Sequence, residues 1–339
     1  MSSTGEHLPL AISLGDPSGI GPEIIVHAWR QRAEMGLKPF AVVGGGGVLR
    51  AAAETLGVDC PITQISSLSQ ASNLFETALP VLGDKDVAYQ PGVPNTAGAK
   101  LALTSLEQAT QLAVSGMASA VVTAPIAKKL LEEVGFQHPG QTEFLAASCG
   151  LPENTSVMML AGPSLRTVPL TVHCPLTDVP SLISTDLIAT RARIVAAALK
   201  HDFGIENPSI AVTGLNPHAG EGGKFGREEI ETIAPAIAAL QSEGLNVTGP
   251  HSADAMFTPR ARSGYDAALC MYHDQALIPL KALEFDEGVN VTLGLPIIRT
   301  SPDHGTAFDI AGKGIADPCA MIAAIRMAGE MAARRSAYD

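Results

Sequence analysis

The stretch LAISLGDPSGIGPEIIVHAWRQRAEMG, residues 10–36, changes character twice. Its first six residues are an apolar run of strand type. A loop of glycine and proline follows, GDPSGIGPE. Then Ile24, Ile25, Ala28 and Trp29 recur at helical spacing. A strand, a tight loop and a helix in that order make half of a crossover unit, and repeated units of this kind build a mainly parallel sheet with helices on its faces. The pattern does repeat. PFAVVG, ASAVVTAPI, TVPLTVH, SIAVTGLN and AALCMYH read as further strands. VLRAAAETLG, AKKLLEEVG, DLIATRARIVAAALKHDFG, REEIETIAPAIAALQSEG and a last Ala- and Met-rich segment, CAMIAAIRMAGEMAARR, read as helices. The fold class expected is therefore α/β.

Composition narrows the function. The chain has 339 residues, 46% hydrophobic and 17% charged, enough for two domains or one large α/β unit. A net charge of −12 argues against a nucleic-acid partner, because affinity for phosphate backbones comes from clustered Lys and Arg. A phosphorylated small molecule needs only a few local cations. The cysteines Cys60, Cys149, Cys174, Cys270 and Cys319 are odd in number and lack CxxC spacing, which fits a reducing cytoplasm better than a disulfide or zinc framework. MSSTGEHLPL lacks the basic and apolar blocks of a secretion leader, and no apolar run reaches the ~20 residues of a membrane span. A cytoplasmic protein without a membrane partner is expected.

Two glycine-rich loops follow strands. VVGGGGVL, residues 42–49, has Leu49 where a dinucleotide loop needs its third glycine, so it reads as a tight strand-to-helix turn. GDPSGIGPE has no GK[ST] and is not a Walker A loop. It still places Gly19 and Gly21 before a helix N-terminus, where backbone N–H groups can face an anion or cofactor.

Three histidines, His173, His218 and His273, each stand at or just after the end of a strand-like run. In open parallel sheets ligands bind outside the carboxyl ends of the strands, so the three can converge. Imidazole suits Zn²⁺, Co²⁺ and similar ions, and three protein ligands leave positions open for substrate. For each histidine alone a hydrogen-bonded packing role is the competing reading. Asp274 beside His273, and Asp254 in SADAMF, can orient a ligand or act as a base; a cap or turn role competes. Lys281, Asn290 and Arg299 fall in an otherwise apolar region, LIPLKALEFDEGVNVTLGLPIIRTS, where a cation needs a partner, either a phosphate or an internal carboxylate.

The segment SPDHGTAFDIAGKGIADP, residues 301–318, resembles the adenine-side cofactor loop of the β-decarboxylating dehydrogenases, such as isopropylmalate dehydrogenase. It implies cofactor contacts at His304, Gly305, Thr306, Asp309 and Gly312. GDPSGIGPE is similar to the same superfamily's N-terminal GDGIGPE loop. Taken in order, GDPSGIGPE, HPGQTEF, GLNPHAGEGG, MYHDQ, GVNVTLGLP and RTSPDHGTA resemble the 4-hydroxythreonine-4-phosphate dehydrogenase family of vitamin B6 synthesis, over residues from about 9 to about 330.

The resemblance implies a two-lobed, isocitrate/isopropylmalate dehydrogenase-like fold with a cleft between the lobes. Residues 1–130 plus 305–339 would form the cofactor lobe, and 131–304 the metal and dimerisation lobe. It implies NAD or NADP as cofactor and one divalent ion (Zn, Co or Mg) on His173, His218 and His273. It further implies a homodimer whose active site is shared, with the third histidine, His273, coming from the partner subunit. Gln141, Thr142, Lys281, Asn290 and Arg299 would bind the phosphorylated substrate, and Lys281, Asp254 and Asp274 would serve catalysis. The sequence departs from the family at Gln141, where relatives often carry His; an amide donates to phosphate without charge. Related enzymes act on phosphorylated threonate or erythronate, or on cyclic cis-diols. Outside the family stand three rivals: an isocitrate- or isopropylmalate-type enzyme, which holds its metal with carboxylates; a phosphate acyltransferase, which needs neither NAD nor metal; and a non-catalytic binding protein.

Overall fold

β1 (Leu10–Ser13) runs through the GDPSGIG loop into the helix Gly21–Arg30, in a computed structural model that describes residues 8–152 and 155–338. Residues 1–7, most of the stretch read as lacking a leader, lie outside the described residues. The remaining strands are β2 (Phe40–Val43), β3 (Ile62–Ile65), β4 (Leu79–Leu82), β5 (Val121–Thr123) and β6 (Val157–Ala161). They continue with β7 (Arg166–Thr171), β8 (Ser209–Thr213), β9 (Asn246–His251), β10 (Ala267–Tyr272), β11 (Val289–Leu293) and β12 (Arg299–Pro302). Contacts divide the chain into two units. The first comprises residues 1–156 with 295–336, the second essentially 157–294.

The first unit has the strand order β3-β4-β2-β1-β5-β12, and every pairing in it is parallel. β1 and β2 are buried along their whole length, as expected of strands covered on both faces. The helix Thr96–Val114 starts where the Asn95 side chain accepts from Gly98 N–H at 2.9 Å. From inside that helix Ser105 Oγ donates to Val43 O at 2.6 Å and accepts from Leu14 N at 2.8 Å, tying it to the ends of β2 and β1.

The division differs from the sequence reading, which puts 131–156 and 295–304 in the second lobe. The reason is packing. β12 pairs with β5, and Leu145, Ala146, Leu295 and Ile297 share a core with Ala11, Ala41 and Val121.

The second unit has the order β11-β6-β7-β10-β8-β9. β7, β10, β8 and β9 are mutually parallel, whereas β6 pairs antiparallel with both β7 and β11. A four-residue turn closes the β6–β7 hairpin, with Gly162 N donating to Leu165 O at 2.9 Å. The unit's core includes Leu160, Ala268, Cys270, Ala276 and Leu280; Cys270 is a fully buried packing residue. Among the described residues no helix is long and apolar enough to cross a membrane.

Candidate active site

β7, β10 and β8 lie side by side and run the same way, so their carboxyl ends form one edge. His173 follows β7, His273 directly follows β10 as the first residue of the helix His273–Glu284, and His218 follows β8. Across a pocket of about 280 Å³, lined by Thr171, His173, Cys174, Tyr272, His273 and Asp274 among others, the His173 and His273 ring centroids stand 5.9 Å apart. Nδ1 of His273 is held by Asp274 Oδ1 at 2.7 Å, which leaves Nε2 as the atom free to bind an ion. His218 instead faces Phe225, ring centroids 6.3 Å apart, and lies near enough to Asp254 to favour its ionised carboxylate. Among the described residues no group of three His, Cys, Asp or Glu side chains of one chain is gathered closely enough to hold a metal ion.

The backbone marks the same places. Five non-glycine residues among those described have positive φ: His173, His218, Ala219, Glu221 and Ala307. All lie in segments singled out as site loops. Each such residue costs roughly 1–3 kcal/mol, against a total stability of about 5–15 kcal/mol; such strain persists only where the surrounding structure over-determines the conformation, and it clusters at functional sites. The loop GLNPHAGEGG contains an unbroken left-handed run, His218 to Gly223.

Two residues that the sequence reading missed hold this run in place. Glu229, buried, accepts from Asn216 N at 2.7 Å and Asn216 Nδ2 at 3.0 Å. A Cβ at Gly220 would come within 2.5 Å of its Oε2, so only glycine fits there. Gln275, also buried, accepts on Oε1 from Thr213 Oγ1 at 2.6 Å and Met271 N at 2.7 Å, and donates from Nε2 to Gly214 O at 2.9 Å. MYHDQ names Gln275 in sequence, but its partners become visible only once β8 and β10 are adjacent.

Asp254 is the second residue of the short helix Ala253–Met256. A 2.5 Å hydrogen bond from Ser252 Oγ holds its carboxyl below the usual carboxylate value, with a smaller contribution from His218. Lys281 lies eight residues beyond His273 in the same helix, about 12 Å along its axis. Asn290 lies in β11, and its Oδ1 is buried without a protein partner.

In the first unit Arg299, at the start of β12, is 4% exposed. Its Nη2 donates to Thr123 Oγ1 and to Gln141 Oε1, both at 2.7 Å. Burial pulls its guanidinium down to about 10, with the Glu143 carboxylate opposing the shift, so it remains charged at neutral pH. Gln141 and Thr142 open the helix Gln141–Ser148.

The two loops assigned to the cofactor pack together in this unit. Ile20 N donates to Thr306 O at 2.9 Å, and a Cβ on Gly19 would sit 2.8 Å from the same oxygen. Gly19 is therefore needed for close approach. Its N–H is engaged by Asp16 O at 3.0 Å, and is not turned to an anion as the sequence suggested. Glu23, fully buried and missed by the sequence reading, accepts from Gly312 N and so joins GDPSGIGPE to the DIAGKG turn. Gly312 lies at φ +78°, with Pro91 occupying the space a Cβ would take. His304 Nε2 is buried without a protein partner, an orphan that a cofactor atom would satisfy; Gly305 and Asp309 are exposed. VVGGGGVL has its structural role: the Asp86 carboxylate caps the helix Gly46–Leu56 through Gly47 N and Val48 N.

Residues 37–328 match the family of pyridoxal phosphate biosynthetic protein PdxA. The chain belongs to the PdxA family. Among its relatives, the 4-hydroxythreonine-4-phosphate dehydrogenase of Erythrobacter litoralis (strain HTCC2594) is 70% identical over 328 residues, 97% of this chain and 98% of that protein. Among solved structures, the 4-hydroxythreonine-4-phosphate dehydrogenase of Klebsiella pneumoniae matches with a TM-score of 0.85 and 37% identity, over 96% of this chain and 99% of that one. A terephthalate 1,2-cis-dihydrodiol dehydrogenase of Burkholderia xenovorans LB400 matches with a TM-score of 0.65 and 30% identity, over 95% and 98%. Membership in the PdxA family places the chain with oxidoreductases and leaves no room for the acyltransferase and binding-protein rivals.

Proposed function

We propose that this chain oxidises 4-phosphooxy-L-threonine with NAD or NADP and releases CO₂ to give 3-amino-2-oxopropyl phosphate, a step in pyridoxal 5′-phosphate synthesis. The observation that carries the reading is the set of three histidines on adjacent parallel strand ends, two of them held at positive φ, in a chain 70% identical to a dehydrogenase of that name.

The donor set fits a divalent ion. Its ligands are neutral imidazoles, and His273 is already oriented by Asp274. His173, His218 and His273 would hold the ion, which when bound supplies a Lewis acid for the substrate's C3 hydroxyl and neighbouring amine. We place His273 on a second copy of the chain, in a homodimer. The exposed apolar side chains Leu176, Leu182, Ile278, Leu283 and Phe285 lie in the segments that follow His173 and His273, where such a copy would cover them.

The chain's own residues carry the rest. Gln141, Thr142, Lys281, Asn290 and Arg299 bind the substrate and its phosphate. Asp254, held ionised, accepts the hydroxyl proton, and Lys281 returns a proton after CO₂ leaves. Gly19, Gly21, His304, Gly305, Thr306, Asp309 and Gly312 line the cofactor side. The protein is assigned to the cytoplasm. The test is a turnover assay with 4-phosphooxy-threonine against phosphorylated threonate and erythronate, with NAD and NADP compared.

Gln141 favours a second reading. An uncharged amide at the phosphate position suits a different phosphorylated acid, or an unphosphorylated cis-diol such as the Burkholderia relative's name describes. Turnover of 4-phosphooxy-threonine at least tenfold slower than of either alternative would put that reading first.

A further inference from the structure

We infer that Gln275 is a positioning residue for the metal site, setting the place of His218 through the carbonyl of Gly214. The inference rests on the metal reading above.

The geometry forms a short chain of contacts. Gln275 lies in the first turn of the helix His273–Glu284, two residues after His273. Its amide bridges two strand ends. Oε1 accepts from Met271 N of β10 and from Thr213 Oγ1 of β8. Nε2 donates to Gly214 O, the first residue beyond β8. Gly214 is in turn the floor of the left-handed run: a Cβ placed on it would sit 2.8 Å from the Cα of Ala219, beside His218. One buried side chain thus fixes the root of the His218 turn against the strand that leads into His273.

The strain makes this support necessary. His218, Ala219 and Glu221 sit in a conformation L-residues avoid. An unsupported turn would relax toward negative φ and carry the imidazole away from the ion. Glu229 restrains the far side of the loop through Asn216, and Gln275 restrains the near side. A carboxylate at 275 keeps both acceptor bonds but cannot donate to Gly214 O. It is nearly the same shape, so Gln275→Glu removes the bond to Gly214 O with little change of volume, and in its ionised form adds a charge to a buried place.

The experiment is a Co²⁺ titration of the chelator-stripped, full-length protein, followed by the visible absorption of the bound ion, with KM for NAD and the thermal midpoint measured in parallel. Partners behind metal ligands typically tune affinity 10- to 100-fold. Gln275→Glu is expected to weaken Co²⁺ binding at least tenfold and alter its spectrum, with KM for NAD unchanged. Thr213→Val, which removes the hydroxyl bond to Gln275 together with a longer one of 3.4 Å to Leu269 O, is expected to weaken binding about threefold, and it decides the matter if Gln275→Glu does not fold. Wild-type affinity and spectrum in the variant that decides would overturn the positioning role while leaving the metal reading intact. A wild-type protein that takes up no Co²⁺ would overturn both.

Discussion

Arg299 donates from Nη2 to the Gln141 carbonyl oxygen, so the orientation of the Gln141 amide is set by a buried cation. With Oε1 committed, Nε2 is the face Gln141 presents to a ligand. The residue that departs from the family pattern is thus a neutral donor backed by a guanidinium.

Removing that guanidinium should release the amide. Arg299→Ala is expected to raise KM for the phosphorylated substrate at least tenfold, about 1.4 kcal/mol. Arg299→Lys should recover little of this, because an ammonium lacks the planar fork that reaches Thr123 and Gln141 together. As Arg299 stays charged below about 10, its contribution should be constant from pH 6 to 9. A KM unchanged in Arg299→Ala would remove the phosphate from this place.

The histidine common in relatives can be restored. Gln141→His should keep activity at pH 7–8.5, where a neutral imidazole can accept from Arg299. Its KM should rise as pH falls through ~6.5, since imidazolium cannot accept and is repelled by the guanidinium. A KM that falls in acid would show the imidazole turned to the phosphate instead.

Chelation should stop turnover. Three imidazoles without a carboxylate form a neutral ligand set, and the stripped protein should regain activity on adding back Zn²⁺ or Co²⁺. His218→Ala should be inactive with its circular dichroism unchanged. Full activity after chelation and dialysis would refute the assignment.

Subunit mixing tells which histidine crosses the interface. Inactive His173→Ala and His273→Ala proteins, allowed to exchange subunits, should regain some activity if His273 comes from the second copy, because a hybrid then has one intact site. The 5.9 Å neighbourhood of His173 and His273 within one chain gives the contrary outcome a definite form. If those two act together, His173→Ala and His273→Ala should fail to complement each other, and recovery should appear when either is mixed with His218→Ala.

The Ser252 hydroxyl holds the Asp254 carboxyl below its ordinary value of 3.8. A depressed carboxyl keeps its ionised form above that value and loses it only below. Any fall in kcat/KM between pH 7 and 5 therefore belongs to another group. Asp254→Asn should lower kcat at least a hundredfold and leave that acid limb where it is.

The sequence revealed the strands that end in histidine because an apolar run followed by an imidazole is a local signal. It did not reveal the β6–β7 hairpin or β11: Val157–Ala161 is a short apolar run that fits either period, and β11 follows a helix after only four residues. The supporting residues were hidden for a different reason. Gln275 reaches Gly214 across 61 positions and Glu23 reaches Gly312 across 289, so their partners exist only after the strands are ordered. Glycine in GLNPHAGEGG announced a turn, but not its left-handed sense, which Ala219 and Glu221 adopt without being glycine.

The second unit is essentially one segment, 157–294, whereas the first needs two long segments from either side of it. On a ribosome this inverts the order of completion. When residue 156 has been added, β5 still lacks its neighbour β12, which begins at Arg299. At about 5–20 residues per second the gap lasts roughly 7–30 s. During that interval the later-encoded unit can finish folding while the earlier one waits with an open sheet edge, the state a nascent-chain chaperone would meet.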